Sequence, residues 1–233
     1  MLKIFVNIKS LNSIKLLARL IIISLLLFLL SSLISIGLII SSGFSFLAYV
    51  FIVFFIISIF ILFLLHYVWI RLNKDYLKNA PDEYNIKGEN KYVGIVATTS
   101  NLPQENYFFV YCSGIILLIE YLKSKQQPFK LLSEPNEGKK FDKQKFRDIV
   151  NDPNCTELYI LGHGRKCGLR ISENELFHYF LLAGAPKKDK IVQLHCNHKG
   201  YRSLTELLHA QTDLKRDGLR FPWQNIYYFL RNF

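Results

Sequence analysis

Apolar residues fall along this chain in two regimes. From Ile21 to Ile40 no residue is ionisable, and from Phe44 to Ile70 the only interruption is His66. Both runs exceed the roughly 18 to 20 apolar residues that cross about 30 Å of hydrocarbon at helical rise. They predict transmembrane helices over about 17–40 and 44–70, with Ser41, Ser42 and Gly43 as the turn, so that residues 1–72 form a membrane hairpin. A secretory signal would present one short apolar region and a small-residue cleavage site, without a second span close behind. Both helices are therefore expected to be retained, and His66 is expected to be an interfacial residue beside Tyr67 and Trp69 at the headgroup level.

Beyond Arg71 the pattern changes to short apolar runs alternating with amphipathic stretches. Residues 73–90 are polar, carry Pro81 and Gly88, and read as a linker. Residues 91–233 are long enough for one ordinary core. Strands are predicted at Tyr92–Ala97, Phe129–Leu132, Glu157–Leu161 and Lys190–His195. Helices are predicted at about Glu105–Lys125, at Phe141–Val150 with Asp142 as N-cap, and at Glu173–Ala183 capped by Ser172. SLTELLHA and the aromatic tail FPWQNIYYFLRNF read as core-packing helices, with a membrane-surface helix as the alternative for the tail. Strands alternating with helices predict an α/β domain with a mostly parallel sheet and helices on both faces.

Charge sharpens this division. All 18 acidic residues lie beyond Arg71, and of the 29 Lys and Arg only five precede Lys74, which leaves 24 basic residues and a net charge of +6 on the remainder. Lys3, Lys9, Lys15 and Arg19 flank the first span, and Arg71, Lys74 and Lys78 follow the second. The positive-inside bias then predicts a two-pass integral membrane protein with both termini cytoplasmic. The dispersed basic excess suits an anionic bilayer surface. With no basic helix and no interleaved aromatic stripe, it gives no reason to expect nucleic acid. In a reducing compartment Cys112, Cys155, Cys167 and Cys196 are not expected to pair as disulfides.

The candidate chemistry lies at two strand ends. ELYIL runs directly into Gly162, His163 and Gly164, and KIVQLH runs directly into Cys196. Ligands of parallel sheets bind beyond the carboxyl ends of the strands, and consecutive strands joined by one crossover often lie side by side. An imidazole beside a thiol makes a nucleophile near neutral pH. The N–H groups of Gly164 and Cys196 are candidates for an oxyanion hole. Cys112 and Cys155 read as buried fillers.

ELYILGHG followed by KIVQLHCNH resembles the caspase-like superfamily of cysteine peptidases, which includes caspases, metacaspases, gingipain-type enzymes and CHAT-type proteases. In that superfamily one strand ends in the catalytic His followed by Gly, and the next ends in the catalytic Cys. The segment GHGRKCGLRISENELFHYFL is similar to the CHAT and gingipain pattern, and the likeness covers roughly residues 91–201. It implies a caspase-like fold and peptide-bond hydrolysis by a His163/Cys196 dyad without a cofactor. The implied partners are a protein or peptide substrate, the lipid bilayer, and an activating protein or self-association. Two other readings stand beside it. One is a catalytically inactive caspase-like signalling or scaffold domain at the membrane, because fold does not fix function. The other is a zinc-binding domain using His163, Cys167, His195, Cys196 and His198.

Overall fold

The computed structural model describes residues 10–42, 46–88, 90–98, 114–133, 141–172, 174–210 and 221–233. They form two compact units that divide between Leu72 and Asn73.

The first unit holds two helices long and apolar enough to cross a membrane, α1 (Leu11–Ser42) and the greater part of α2 (Phe46–Asn79). With 32 and 34 residues, each would run about 50 Å at helical rise, well beyond the hydrocarbon thickness. Burial on α1 repeats every seven residues: Ile14 and Ile21 with Ser35, and Leu17 with Ser24 and Ser31. The same period on α2 joins Ile52, Ile59 and His66, all half-buried. A seven-residue repeat keeps one seam of each helix facing a partner, and Phe28 stacks on Phe55 across it, with ring centroids 5.2 Å apart. The seam serines satisfy themselves locally: Ser24 donates to Ile21 O at 2.9 Å and Ser35 to Ser31 O at 2.7 Å. His66 does likewise, its Nδ1 lying 2.9 Å from Leu62 O. Within the first unit His66 thus occupies the seam, while large residues such as Leu33, Phe60 and Phe63 remain exposed, an apolar surface compatible with a membrane.

The second unit is built on a five-stranded sheet: β1 (Glu83–Tyr84), β2 (Tyr92–Ala97), β3 (Phe129–Ser133), β4 (Cys155–Leu161) and, later in the chain, β8 (Lys190–Leu194). Their spatial order is β1-β3-β2-β4-β8. The last four are parallel, and β1 pairs antiparallel with β3 at one edge. All six β2 positions and four of the five in β8 are buried, the near-continuous burial of strands covered on both faces. On one face Tyr92, Val96, Leu158 and Ile160 share a core with Phe146, Ile149 and Val150 of α4 (Lys143–Asn151). The other face carries Tyr159, whose ring meets Phe233 just past α6 (Pro222–Asn232). Phe233 also stacks on Tyr121 of α3 (Ile115–Ser124). Helices therefore cover both faces of a mixed, mainly parallel sheet. Asp142 caps α4 as expected, accepting from Lys145 N at 2.8 Å, and Ser203 caps the short α5 (Leu204–Leu207) in a capping box with Glu206.

Two expectations need correction. The helix predicted at Glu173–Ala183 is replaced by β7 (Leu176–His178) and a 3₁₀ turn at Tyr179–Leu182. β7 completes a small antiparallel sheet with β5 (Gly164–Arg165) and β6 (Gly168–Arg170). Pairing of Phe177 with Leu169 supplies the ladder bonds that a helix would have made internally, so tertiary context overrides local pattern. The stretch read as a linker also carries structure. α2 continues to Asn79, Asn73 and Leu77 are buried, and β1 follows. Asn73 Oδ1 accepts from Ile116 N at 3.3 Å, and the Tyr76 hydroxyl donates to Glu120 and accepts from Lys123 Nζ. α3 begins after Gly114, whose φ is +79° and which has no side chain to cap it. Asn73 supplies that cap from another helix. The predicted helix start at Glu105 and Cys112 lie outside the described residues.

Candidate active site

The candidate residues His163, Gly164 and Cys196 collect at the carboxyl edge of the sheet. β4 and β8 pair in parallel with Leu161 opposite Leu194, their last paired residues. His163 and Cys196 each follow two residues later, so neighbouring strands deliver them to the same edge at the same level. β2 lies on the other side of β4, with Ala97 opposite Leu161. Thr98 N continues the ladder to Leu161 O at 3.0 Å. The chain leaves β2 for α3 and β3 on one side, and reaches β4 on the other. This reversal of strand order makes β2/β4 the switch point at which open parallel sheets bind ligands.

Gly162 turns the chain out of β4. Its φ is +147°, and a Cβ there would lie 2.2 Å from Thr98 Oγ1, so neither the conformation nor the space admits a side chain. His163 comes next, half-buried with its Nε2 buried, and its carbonyl accepts from Arg170 N at 2.8 Å. Gly164 pairs with Leu169 across the β5–β6 hairpin. Because Arg170 and His163 make the neighbouring bond, alternation leaves Gly164 and Leu169 as a non-hydrogen-bonded pair. The Gly164 amide is therefore directed away from the β6 ladder, as an oxyanion donor must be. Gly164 is also confined: a Cβ would meet Gly168 O at 2.6 Å and His195 Nδ1 at 2.8 Å.

Cys196 is 9% exposed. His195, immediately before it, is fully buried and committed on both sides of its ring. Nδ1 lies 2.9 Å from Cys196 O, and Nε2 lies 2.6 Å from the Tyr179 hydroxyl. Asn225 of α6 donates from Nδ2 to Leu194 O at 3.2 Å, which satisfies the last carbonyl of β8. Beyond Cys196 the loop folds onto Cys167, for a Cβ on Gly200 would lie 2.5 Å from Cys167 Sγ.

Three further polar atoms at this edge are buried without a hydrogen-bond partner among the described residues: Thr98 Oγ1, Asn197 Oδ1 and His198 Nδ1. Buried polar atoms are ordinarily paired, and here the exceptions flank the ends of β2 and β8. Thr98 and Tyr179 carried no signal in the sequence beyond their distance from a strand end, and the pairing of β6 with β7 is what brings Tyr179 to His195.

The structure thus gathers His163, Gly164 and Cys196 at one edge. Of the residues considered as zinc ligands, His195 has both ring nitrogens engaged. Among the described residues no group of three or more His, Cys, Asp or Glu is arranged to hold a metal ion. Cys155 sits at the opposite, amino edge, fully buried, with Sγ 3.4 Å from Glu157 O. The chain matches no protein-family model, no curated protein and no solved structure, so any functional reading rests on this geometry.

Proposed function

We propose that the chain is a membrane-anchored cysteine peptidase of caspase-like type, with Cys196 as nucleophile and His163 as general acid and base. One observation carries the reading: His163 and Cys196 leave adjacent parallel strands two residues beyond a shared register position, Leu161 opposite Leu194. In the proposed reaction His163 removes the Cys196 proton, and the thiolate attacks the substrate carbonyl carbon to form a C–S bond. The negative charge that develops on oxygen is met by the amides of Gly164 and Cys196. Protonated His163 gives its proton to the leaving amine as the C–N bond breaks. Water, deprotonated by His163, then attacks the thioester, the C–S bond breaks, and the carboxylate leaves with the thiol restored.

The two apolar helices and the basic residues flanking their outer ends support a two-pass anchor with both chain ends in the cytoplasm. The low exposure of Cys196 favours a second reading, a caspase-like signalling domain whose thiol is silent. One experiment addresses both. A membrane-impermeant chloroacetamide peptide should alkylate Cys196 in inside-out vesicles and not in right-side-out ones. His163→Ala should slow that alkylation by about 10² or more, the usual worth of a positioned base. Alkylation indifferent to His163 would leave the silent reading in its place, and labelling from the exterior alone would reverse the topology.

A further inference from the structure

One buried ring touches both halves of the site. His195 lies between the turn that carries His163 and the main chain of Cys196, and its hydrogen bonds define its proton. Thr205 donates to Gln193 Oε1 from both its hydroxyl, at 3.1 Å, and its amide, at 3.4 Å. This fixes the Gln193 amide with its Nε2 toward His195, at 3.3 Å from the ring Nε2. An amide nitrogen can only donate. The Tyr179 hydroxyl, 2.6 Å from the same ring nitrogen, is held in the protonated form by burial, which raises its pKa well above the ordinary value, with the neighbouring Cys167 adding to the shift. With two donors aimed at Nε2, that nitrogen is the acceptor and the proton sits on Nδ1. Nδ1–H then donates to Cys196 O at 2.9 Å, while the same edge of the ring packs against Gly164 so closely that no Cβ would fit.

We propose that His195 is the positioning residue of this site: held as the Nδ1–H tautomer by Tyr179 and Gln193, its ring ties the main chain of Cys196 to the turn that carries His163 and Gly164. The role rests on the peptidase reading above. It explains why a histidine precedes the nucleophile. An imidazole there can take two donors on one side and return one donor on the other, and it is flat enough to lie against a glycine. Neither Tyr179 nor His195 touches substrate in this scheme. They fix the distance over which His163 and Cys196 exchange a proton, a quantity to which rates are steeply sensitive.

The test uses the full chain in detergent with histidine labelled by nitrogen-15. The ring resonances of His195, assigned by their loss in His195→Asn, should report a neutral ring protonated on Nδ1. In Tyr179→Phe, which removes one oxygen, the two ring nitrogens should move toward the averaged shifts of exchanging tautomers. Iodoacetamide alkylation of Cys196, resolved by mass spectrometry, should slow in Tyr179→Phe and fall about tenfold or more in His195→Leu. His195→Asn keeps a donor where Nδ1 stands and should recover most of the wild-type rate. A merely space-filling His195 would favour Leu over Asn and would leave the tautomer indifferent to Tyr179. A ring protonated on Nε2, or wild-type alkylation in both Tyr179→Phe and His195→Leu, overturns the proposal while the peptidase reading stands. If wild-type alkylation is itself indifferent to His163→Ala, the peptidase reading fails and the positioning role fails with it.

Discussion

The two ends of the sheet each bury a cysteine among polar groups, and they treat it differently. At the amino edge Cys155 bonds Glu157 O, Tyr92 donates to Asp152 Oδ2 at 2.9 Å, and buried Lys188 donates to Asp152 O at 2.8 Å. Each of these groups has a partner, and burial pushes the Cys155 thiol up to about 11, against a smaller opposing pull from Lys188. At the carboxyl edge Cys196 follows a histidine engaged on both ring nitrogens, yet Asn197 Oδ1 and His198 Nδ1 just after it, and Thr98 Oγ1 at the end of β2, have no partner among the described residues. A buried polar atom left unsatisfied costs about 1–3 kcal/mol, so such atoms are ordinarily paired. A cysteine in a satisfied setting is a structural thiol. One followed by polar groups with no partner among the described residues is the better candidate for the chemistry proposed above.

The sharpest break of this contrast comes from glycine. Gly162→Ala would place a methyl group 2.2 Å from Thr98 Oγ1 at a φ of +147°, combining strain with overpacking for roughly 3–5 kcal/mol. Gly94→Ala, on the Cys155 side, would meet only side chains, Ile149 Cγ2 at 2.8 Å and Cys155 Sγ at 2.9 Å. With an ordinary φ it should cost about 1–3 kcal/mol. Thermal unfolding should rank the two in that order. Gly94→Ala should keep Cys196 alkylation at the wild-type rate, and Gly162→Ala should lose it. Equal alkylation in both variants would mean that the turn at Gly162 does not place His163.

How much of this could be read from the chain follows the same physics. β2 was legible to its end residues, because Tyr92–Ala97 is a continuous apolar run that only a strand buried on both faces explains. The site was legible as far as it depends on strand ends: His163 and Cys196 follow directly from the lengths of β4 and β8. What could not be read depends on partners distant in sequence. Leu176–His178 has the spacing of a helix and becomes a strand because β6 is there to pair with it. Asn73 looks like the start of a polar linker until Ile116, 43 positions on, donates to it. The proton on His195 requires Tyr179, Gln193 and Thr205 together, which no local pattern announces.

A smaller effect is expected from pH at the amino edge. Cys155 has its pKa raised from 9.0 to about 11 in the folded state, so the fold binds its proton more tightly than the unfolded chain does. That contribution is fully present below pH 9 and is lost as pH rises through about 11. Two pKa units correspond to at most about 2–3 kcal/mol. Tyr92, raised by burial first and then by neighbouring Cys155 and Asp152, acts in the same sense at higher pH. Lys188, lowered mainly by burial, acts in the opposite sense below its unfolded value of 10.5. The informative quantity is therefore the difference between wild type and Cys155→Ala in the slope of denaturant stability from pH 9 to 11. Wild type should fall more steeply. Identical slopes would mean that Cys155 is not held as a buried neutral thiol, and the satisfied edge would lose its main evidence.

The smallest effect tests whether satisfied groups at the carboxyl edge behave as structure. α3 follows β2, so its N-terminus lies on the carboxyl side of the sheet, and the Ile116 amide there would be open but for Asn73. A cap of this kind is worth about 1 kcal/mol, which in a domain of this size is a shift in melting temperature of about 3 °C. Asn73→Ala should produce that shift, and Asn73→Asp, which keeps the acceptor but puts a carboxylate where Asn73 is fully buried, should restore it only in part. Neither should alter alkylation of Cys196, because the amide that Asn73 satisfies is already closed and has nothing to offer a ligand. Thr98→Val removes an oxygen that has no partner among the described residues, so it should leave stability nearly unchanged while changing the reactivity of the site. If Asn73→Ala slows Cys196 and Thr98→Val does not, the division between satisfied and unsatisfied groups fails as a guide to function in this protein, and the neighbourhood of α3 becomes the place to look.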